Sequence, residues 1–279
     1  MVIVQAVEGS SGSSKLLKHS TLTAWIVSLI SLSSLYGASP SHAAVINGGF
    51  ETDDFTGFNT IGDTSIQTAK FGIVPTDGAS QALLSSASLA GDFFNFSGTD
   101  AVDSSNLEAF LGIPAGSLSS LENGNSIEGS AIKQTFTANV GDVLSFDFNF
   151  LTDDDTPNPN FNDFAFAVLQ PSTIELADTF STFNLSSFFR QETGFQTFST
   201  VLATSGTYTL GLGIVDVGDN AITSGLLVDN IQSTASVPEP SSTLGVLAFA
   251  ALGSGLLLKR KVLKCKQWLP KELISLSKD

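Results

Sequence analysis

Side chains that could carry out chemistry are few in the central part of this 279-residue chain. His19 and His42 lie near its start and Cys265 near its end, so residues 44–236 contain neither histidine nor cysteine. Ser-His-Asp and Cys-His nucleophile systems are therefore excluded there, as is a zinc site of the usual ligands. Carboxylates remain, and a pair of them can carry out glycoside hydrolysis. Because no spacing selects such a pair, we interpret the carboxylates as a solvated acidic face and expect a non-enzymatic protein.

The charge of this central part is strongly negative. Residues 44–236 hold 23 acidic side chains and three basic ones, Lys70, Lys133 and Arg190, which gives a formal charge of −20. Such a surface repels nucleic acid and anionic lipid, and it attracts divalent cations and basic partners. We therefore expect no nucleic-acid binding. Without cysteine, this part must be stabilised by its core or by bound metal.

Residues 1–43 have the features of a signal peptide. Lys15 and Lys18 form a basic region, an apolar stretch covers 22–36, and Ser41-His42-Ala43 places small residues where signal peptidase cuts. The predicted cleavage lies between Ala43 and Ala44. An uncleaved anchor helix is the alternative, although serines at 28, 31, 33 and 34 reduce its apolarity. We expect an exported chain in which residues 44–236 form one extracytoplasmic domain.

A second terminal signal begins at Val237. The motif Val237-Pro238-Glu239-Pro240 precedes an uncharged stretch of 18 residues at 241–258. As a helix, this stretch is about 27 Å long, slightly less than a hydrocarbon core of about 30 Å. Its basic flank consists of Lys259, Arg260 and Lys261. Basic flanks stay in the cytoplasm, so we predict a transmembrane helix with the preceding domain outside; a buried core helix is the alternative that these flanks disfavour.

This three-part order resembles the PEP-CTERM sorting signal of bacterial surface proteins, over residues 237–261. The resemblance implies an exosortase as the processing partner and a final location at the cell surface or in the extracellular matrix. A role in adhesion or exopolysaccharide association follows as an expectation. Unlike most members of that family, the chain continues through 262–279, a basic tail that we predict to lie along the cytoplasmic membrane interface. A read-through terminus is the alternative.

Short alternating segments, separated by turns rich in Gly, Asn, Asp and Ser, predict an all-β domain. The clearest strand covers 142–150, where Leu144, Phe146, Phe148 and Phe150 alternate with polar residues. Similar strands are predicted at 163–170 through Phe164, Phe166 and Val168, and at 207–217 through Tyr208, Leu210, Leu212 and Ile214. Further strands are predicted at 65–69, 81–85, 127–138 and 195–203. We expect an antiparallel two-sheet β-sandwich.

One helix is predicted within this β domain. Ser104–Leu111 combines a polar cap with good helix formers, and Gly112 and Pro114 end it. We expect this helix to close one end of the sandwich.

The ends of the domain resemble those of carbohydrate-binding-module-like jelly rolls. Residues 45–51, Val-Ile-Asn-Gly-Gly-Phe-Glu, are similar to their first strand, and residues 226–231, Leu-Leu-Val-Asp-Asn-Ile, to their last. The resemblance implies a structural Ca²⁺ held by Glu51 and Asp229, with carbonyls beside Gly48 or Gly49 as further ligands. The open alternative is that both residues only flank turns. A second acidic loop at 153–160 departs from EF-hand spacing, and we interpret it as solvated.

The jelly-roll resemblance suggests carbohydrate binding, but the types of aromatic residue in residues 44–236 do not favour it. Modules that bind polysaccharides commonly stack sugars on Trp or Tyr, whereas residues 44–236 contain Tyr208 alone and 21 of the 22 Phe. Most of these Phe occupy alternating positions typical of a core. Those that break the alternation, and could form an exposed face, are Phe93, Phe94, Phe96, Phe188 and Phe189. A surface protein without enzymatic activity is thus the first expectation, and a carbohydrate-binding or polysaccharide-active protein on the same scaffold is the alternative.

Overall fold

The structure is a computed structural model that describes residues 44–88, 92–121, 124–157, 159–185 and 188–235. Four predicted features lie outside the described residues and stay predictions: the signal peptide with Ala43, the motif Val237–Pro240, the membrane helix 241–258 with its flank Lys259–Lys261, and the tail 262–279. Within the described ranges, none of the helices has the length and apolarity needed to span a membrane.

Thirteen strands form two antiparallel sheets in the described residues, so the predicted two-sheet sandwich is confirmed. In chain order the strands are β1 (Asn59–Ile61), β2 (Asp63–Thr68), β3 (Ser80–Ser85), β4 (Val102–Asp103), β5 (Ser126–Ala138), β6 (Val143–Thr152), β7 (Phe164–Leu169), β8 (Ser172–Asp178), β9 (Asn184–Leu185), β10 (Gln191–Glu192), β11 (Gln196–Val201), β12 (Gly206–Val217) and β13 (Ser224–Thr234). Sheet A has six of them in the order β1-β5-β12-β7-β8, with β4 beside β5. Sheet B has seven in the order β2-β3-β13-β6-β10-β9, with β11 beside β6.

The main core lies between the two sheets and follows the alternation seen in the sequence. From sheet B, the four apolar residues of β6 that were predicted to share one face all point into it, as do Leu226 and Val228 of β13. From sheet A, Leu210, Leu212 and Ile214 of β12 face them. Each such fully buried side chain contributes roughly 1.5–3 kcal/mol of hydrophobic stabilisation.

The outer face of sheet A is also buried, because an α-helix lies across it. This helix, α1 (Ser104–Leu111), has the predicted bounds and ends at Gly112, whose φ of 72° is left-handed. Its Leu107 and Leu111 pack on Phe164 and Phe166 of β7. The prediction that the helix closes one end of the sandwich is therefore wrong. Alternation in β7 places its large residues outward under the helix, whereas its alanines face the main core.

The outer face of sheet B carries a third apolar cluster. Leu83, Leu151 and Leu227 are buried there under two aromatic segments, one around residues 93–96 and one around 188–195. Covering both outer faces explains how a domain without disulfides can bury enough apolar surface to be stable.

The start of the domain is a turn, so the predicted first strand at Val45–Glu51 is wrong. Asn47 and Phe50 have φ values of 53° and 56°, which belong to the left-handed region and not to a strand. The segment nevertheless lies against β13, because the Ile231 amide donates to the Gly48 carbonyl at 2.9 Å. A Cβ at Gly48 would overlap the Ile231 carbonyl, so this close approach requires glycine.

Candidate functional site

The predicted calcium ligands Glu51 and Asp229 do lie at one place, on either side of the loop 76–80. Asp229 Oδ2 accepts hydrogen bonds from the amides of Thr76 and Asp77 at 2.7 and 2.9 Å, and from the Thr76 hydroxyl at 3.1 Å. Glu51 Oε1 accepts from the amides of Ala79 and Ser80 at 2.8 and 2.9 Å. Both carboxylates therefore hold this loop in place, and we call them, with the loop, the carboxylate clamp.

The carboxylate clamp does not fit a calcium site. Ca²⁺ needs six to eight oxygen ligands, but amide hydrogens already occupy Glu51 Oε1 and Asp229 Oδ2, and the Asn230 amide donates to Asp229 Oδ1 at 2.7 Å. Across the described ranges, no group of three or more His, Cys, Asp or Glu side chains is arranged to hold a metal ion. Burial is the largest cause that raises the pKa of the Asp229 carboxyl, and the hydrogen bonds from Asp77, Asn230 and Thr76 oppose it. Calcium at Glu51 and Asp229 stays a prediction from sequence.

A different site is formed where the loops after β3, β6 and β12 meet at one end of the sandwich. It is a cleft of about 340 Å³, which we call the aromatic cleft. Its lining consists of Ser88, Asp92, Phe93, Phe94, Asp153, Asn220, Ala221, Ile222 and Thr223. Polar groups and an aromatic ring thus face the same space, and most of the exposed lining is polar.

Phe93 supplies the aromatic surface of this cleft. Its side chain is 77% exposed, and one ring face stacks on Phe188 with centroids 5.5 Å apart and planes inclined by 12°. Phe188 in turn lies 4.9 Å from Phe71, and Phe94 meets the edge of Phe93 at 5.6 Å. Of the five Phe predicted as candidates for exposure, only Phe93 is largely exposed; Phe189 is buried. A stack of rings therefore holds one aromatic face toward solvent.

The polar wall of the cleft is fixed by hydrogen bonds between its loops. The Thr223 hydroxyl donates to Asp92 Oδ2, and the Asp153 amide donates to the Thr223 carbonyl at 3.1 Å. Asp92 Oδ1 accepts from the Phe94 amide at 2.8 Å, which ties the aromatic segment to the same wall. The Asp92 carboxylate and the backbone at Asp153 are consequently held in place before any ligand arrives.

An acidic pocket of about 230 Å³ adjoins the aromatic cleft, and the two share Asp153 and Ile222. Its other lining residues are Asp154, Asp155, Phe161, Arg190 and Asp219. The prediction that the loop 153–160 is solvated is only partly right. Asp155 is exposed and pairs with Arg190, but Asp154 turns inward and is 8% exposed.

Asp154 turns toward two further buried carboxyl groups, and the three form what we call the carboxyl trio. Asp163, directly before β7, is 2% exposed, and Asp216, near the end of β12, is 1% exposed. Asp163 Oδ1 accepts from the Val217 amide at 2.8 Å and Oδ2 from the Ser224 hydroxyl at 2.7 Å. The side chains of Asp154 and Asp216 lie close enough to Asp163 for the three carboxyls to affect one another's acidity.

Burial is the largest cause of the altered acidity in the carboxyl trio. It raises the pKa of Asp163 to about 8, where the negative charge of Asp154 adds to the effect and the Ser224 hydroxyl opposes it. The pKa of Asp216 is raised well above its usual range by burial and then by the charge of Asp163, and the pKa of Asp154 is raised by burial. These carboxyls therefore favour their protonated form.

No protein-family model matches the chain, and no curated protein does. Several solved structures are similar in architecture. One is TmCBM61 in complex with beta-1,4-galactotriose (TM-score 0.38, 9% identity, 70% of this chain and 100% of that one). Another is TmCBM27, a carbohydrate-binding module with specific mannan recognition (TM-score 0.34, 12% identity, 71% and 98%). A third is the enzymatically active domain of bacteriophage CBA120 tailspike protein 4 (TM-score 0.35, 11% identity, 70% and 22%). Because these TM-scores are low, the fold is assigned from the two sheets described above and not from these similarities.

Sequence reasoning missed most of this end of the sandwich. Asp216 interrupts the apolar run of β12, and Asp163 directly precedes β7; a lone carboxylate beside such apolar segments is the signal that could have found both. Asn220 and Thr223 lie in an ordinary turn between β12 and β13, and nothing in their spacing distinguishes them.

Proposed function

We propose that residues 44–236 form a non-enzymatic carbohydrate-binding domain of an exported protein that associates with exopolysaccharide at the bacterial surface. The observation that carries this proposal is the exposed ring of Phe93, stacked on Phe188 beside a wall of fixed polar groups. An exposed large aromatic ring costs free energy unless it contacts a partner, and a sugar ring offers the C–H face that an aromatic ring prefers.

The aromatic cleft can hold a sugar by two kinds of contact. The free face of Phe93 covers the apolar face of the ring, while the carboxylates of Asp92 and Asp153 accept hydrogen bonds from sugar hydroxyls. The amide of Asn220 can donate as well as accept. A cleft of about 340 Å³ is at the small end of ligand sites, which run from roughly 300 to 1,000 Å³, so we propose recognition of one or two sugar units.

A polysaccharide-active enzyme is the second candidate, and the raised pKa of Asp154 beside Asp153 favours it. A general acid with a raised pKa paired with an ionised carboxylate is the pattern of glycoside hydrolases. We prefer binding, because Asp154 lies close to the buried Asp163 and is mostly withdrawn from the cleft. Release of reducing ends from a bound glycan, lost in Asp154→Asn, would favour the enzyme.

Replacing Phe93 by alanine is expected to weaken binding to a polysaccharide found on a glycan array by about tenfold, because the ring supplies roughly 1–1.5 kcal/mol of stacking. The melting midpoint should change little, since most of this side chain is exposed. Phe183→Ala is the matched control, because Phe183 is 82% exposed and lies outside the cleft lining. Equal affinities for wild type and Phe93→Ala would contradict the site, and a full array without a saturable ligand would contradict carbohydrate binding.

Sorting by an exosortase is the part of the proposal supported by the sequence motif Val237–Pro240, the 241–258 helix and the basic flank. We propose that the chain passes through a membrane-anchored form before it reaches the surface. Intact mass measured on cell fractions is expected to show a new start at Ala44 and a cut near Glu239. A surface-located protein that keeps residues 237–279 would contradict exosortase processing.

A further inference from the structure

The carboxyl trio brings three acidic groups together in the interior from three separate elements. Asp154 follows β6, Asp163 precedes β7 and Asp216 lies near the end of β12. Asp163 interacts electrostatically with both of the others. The remaining contacts of the three carboxyls are neutral: the hydroxyls of Ser86, Thr152 and Ser224, and the amide of Val217.

The charged groups that act most strongly on the trio are acidic. Asp153 and Asp219 act on Asp154, and Glu128 acts on Asp216. Glu128 itself is close to Asp92, Asp100 and Asp103. Of the three basic side chains in the described residues, Arg190 lines the acidic pocket with Asp154 but pairs with Asp155, the Lys133 ammonium lies over the Phe110 ring, and Lys70 is exposed in a 3₁₀ helix. Among the described residues, no basic side chain forms an ion pair with a carboxyl of the trio.

Three ionised carboxylates that face one another are not stable in the protein interior. Like charges repel strongly in the low dielectric of the interior, and each buried anion loses its hydration. A proton between two carboxyl oxygens removes one charge and makes the contact attractive, as in paired carboxyl groups that share a proton.

Asp216 Oδ1 provides a second, independent observation. It is buried, and no hydrogen-bond donor reaches it among the described atoms. An unpartnered oxygen costs far less in a neutral carboxyl than in a carboxylate. No group of three or more His, Cys, Asp or Glu side chains in the described residues is arranged to hold a cation.

We propose that the carboxyl trio is a proton-binding site that keeps at least one proton at neutral pH and makes the stability of this end of the sandwich depend on pH. The site goes beyond carbohydrate recognition and does not depend on it. The proton ties the loop after β6 to β7 and to β12, so its loss would loosen the loops that form the acidic pocket.

The direction of the pH dependence follows from the raised pKa values. An aspartate in the unfolded chain has a pKa of about 3.9, whereas that of folded Asp163 is raised to about 8. The folded state thus binds more protons between these values. Its stabilisation is complete below about pH 4, decreases as the pH rises, and is lost above about pH 8. For each such proton, a rise of one pH unit increases the unfolding equilibrium constant by up to about tenfold.

Thermal melting of the purified protein at pH 5.5 and pH 8.5 tests this site. For one linked proton we expect the wild-type midpoint to fall with rising pH by on the order of 3 °C per unit. Asp216→Asn, which replaces the carboxyl by a neutral group of the same shape, should flatten this dependence and melt above wild type at pH 8.5. Asp155→Asn is the control, because Asp155 is exposed, and it should keep the wild-type slope.

Three results would overturn the proposal. One is an equal slope in Asp216→Asn and wild type. The second is a rise of the wild-type midpoint with added CaCl₂ at pH 8.5 that Asp216→Asn lacks, because a cation would then neutralise the trio. The third comes from hydrogen exchange of the wild-type protein, which tests the proposal even if Asp216→Asn does not fold. After correction for the intrinsic rate, exchange in segments 153–163 and 216–224 should be faster at pH 8.5 than at pH 5.5. Equal protection at the two pH values would contradict a titrating site.

Discussion

Replacing Phe166 by alanine is expected to lower the free energy of unfolding by about 3–5 kcal/mol, a large part of the roughly 5–15 kcal/mol of a typical domain. Phe166 is fully buried on the outer face of sheet A, where it packs with Phe164 and the helix. The cavity cannot collapse easily, because Ala165 and Ala167 hold the same strand against the main core. Denaturant unfolding measured by fluorescence or circular dichroism gives the value.

Phe183→Ala provides the comparison for this prediction, because it makes the same change at a ring that is largely exposed. We expect it to shift the free energy of unfolding by less than about 0.5 kcal/mol. A loss below about 1 kcal/mol in Phe166→Ala would mean that the layer between helix and sheet is not a packed core.

Replacing Asp229 by alanine is the second change with a large expected effect, about 2–4 kcal/mol. Hydrogen bonds to a charged group contribute about 1.5–3 kcal/mol each but do not add, and here one carboxylate accepts three from Thr76 and Asp77 and one from Asn230. The loop 76–80 would lose its attachment to β13. Equilibrium unfolding in denaturant measures the loss.

Thr76→Val is the matched control, since it removes only the hydroxyl donor and keeps the backbone amides of the loop; we expect it to cost less than about 1 kcal/mol. A similar loss in both variants would show that the carboxylate clamp is not the cause.

Thermal melting of the wild-type protein with and without a chelator tests the predicted calcium site at Glu51 and Asp229. We expect an unchanged wild-type midpoint, because a bound metal would have to stabilise the native state. A lower midpoint in chelator, absent in Glu51→Gln, would restore the calcium site.

The strands were predictable because alternation records which residues share a face. In β6 the pattern from Leu144 to Phe150 gives the side that enters the main core, and the end of the helix is fixed by Gly112. Alternation does not record what covers the opposite face. The large residues of β7, including Phe164, therefore lie under the helix and not between the sheets, and the helix lies on a sheet face and not at an end.

The resemblance of the first residues of the domain to a jelly-roll strand gave a wrong prediction, because the backbone there forms a turn. Val45–Glu51 looks extended in sequence, but the chain turns at Asn47 and Phe50, and the approach of Gly48 to Ile231 helps to keep it beside β13. The pairing of Glu51 with Asp229 at one loop was foreseen, yet amide donors from residues far along the chain occupy their oxygens. No spacing in a sequence describes such donors.

The end of the sandwich that carries the aromatic cleft was only partly predictable. Phe93 was among five Phe that break the alternation, but which of them is exposed depends on stacking between two distant segments. The carboxyl trio joins residues from the loop after β6, the start of β7 and the end of β12, which only the folded sheets bring together. Its members look in sequence like any of the many solvated carboxylates.

If the aromatic cleft binds carbohydrate as proposed, the carboxylates around it influence which polymers can approach this end of the protein. Asp92, Asp153 and Asp219 carry like charge, and the nearby guanidinium of Arg190 is already engaged by Asp155. Uronic-acid or sulfated chains would be turned away over distances of about 8–10 Å at physiological salt, whereas neutral or amino-sugar stretches would not. The domain would thus sort glycans by charge before any ring is stacked, and this discrimination would fade as ionic strength increases.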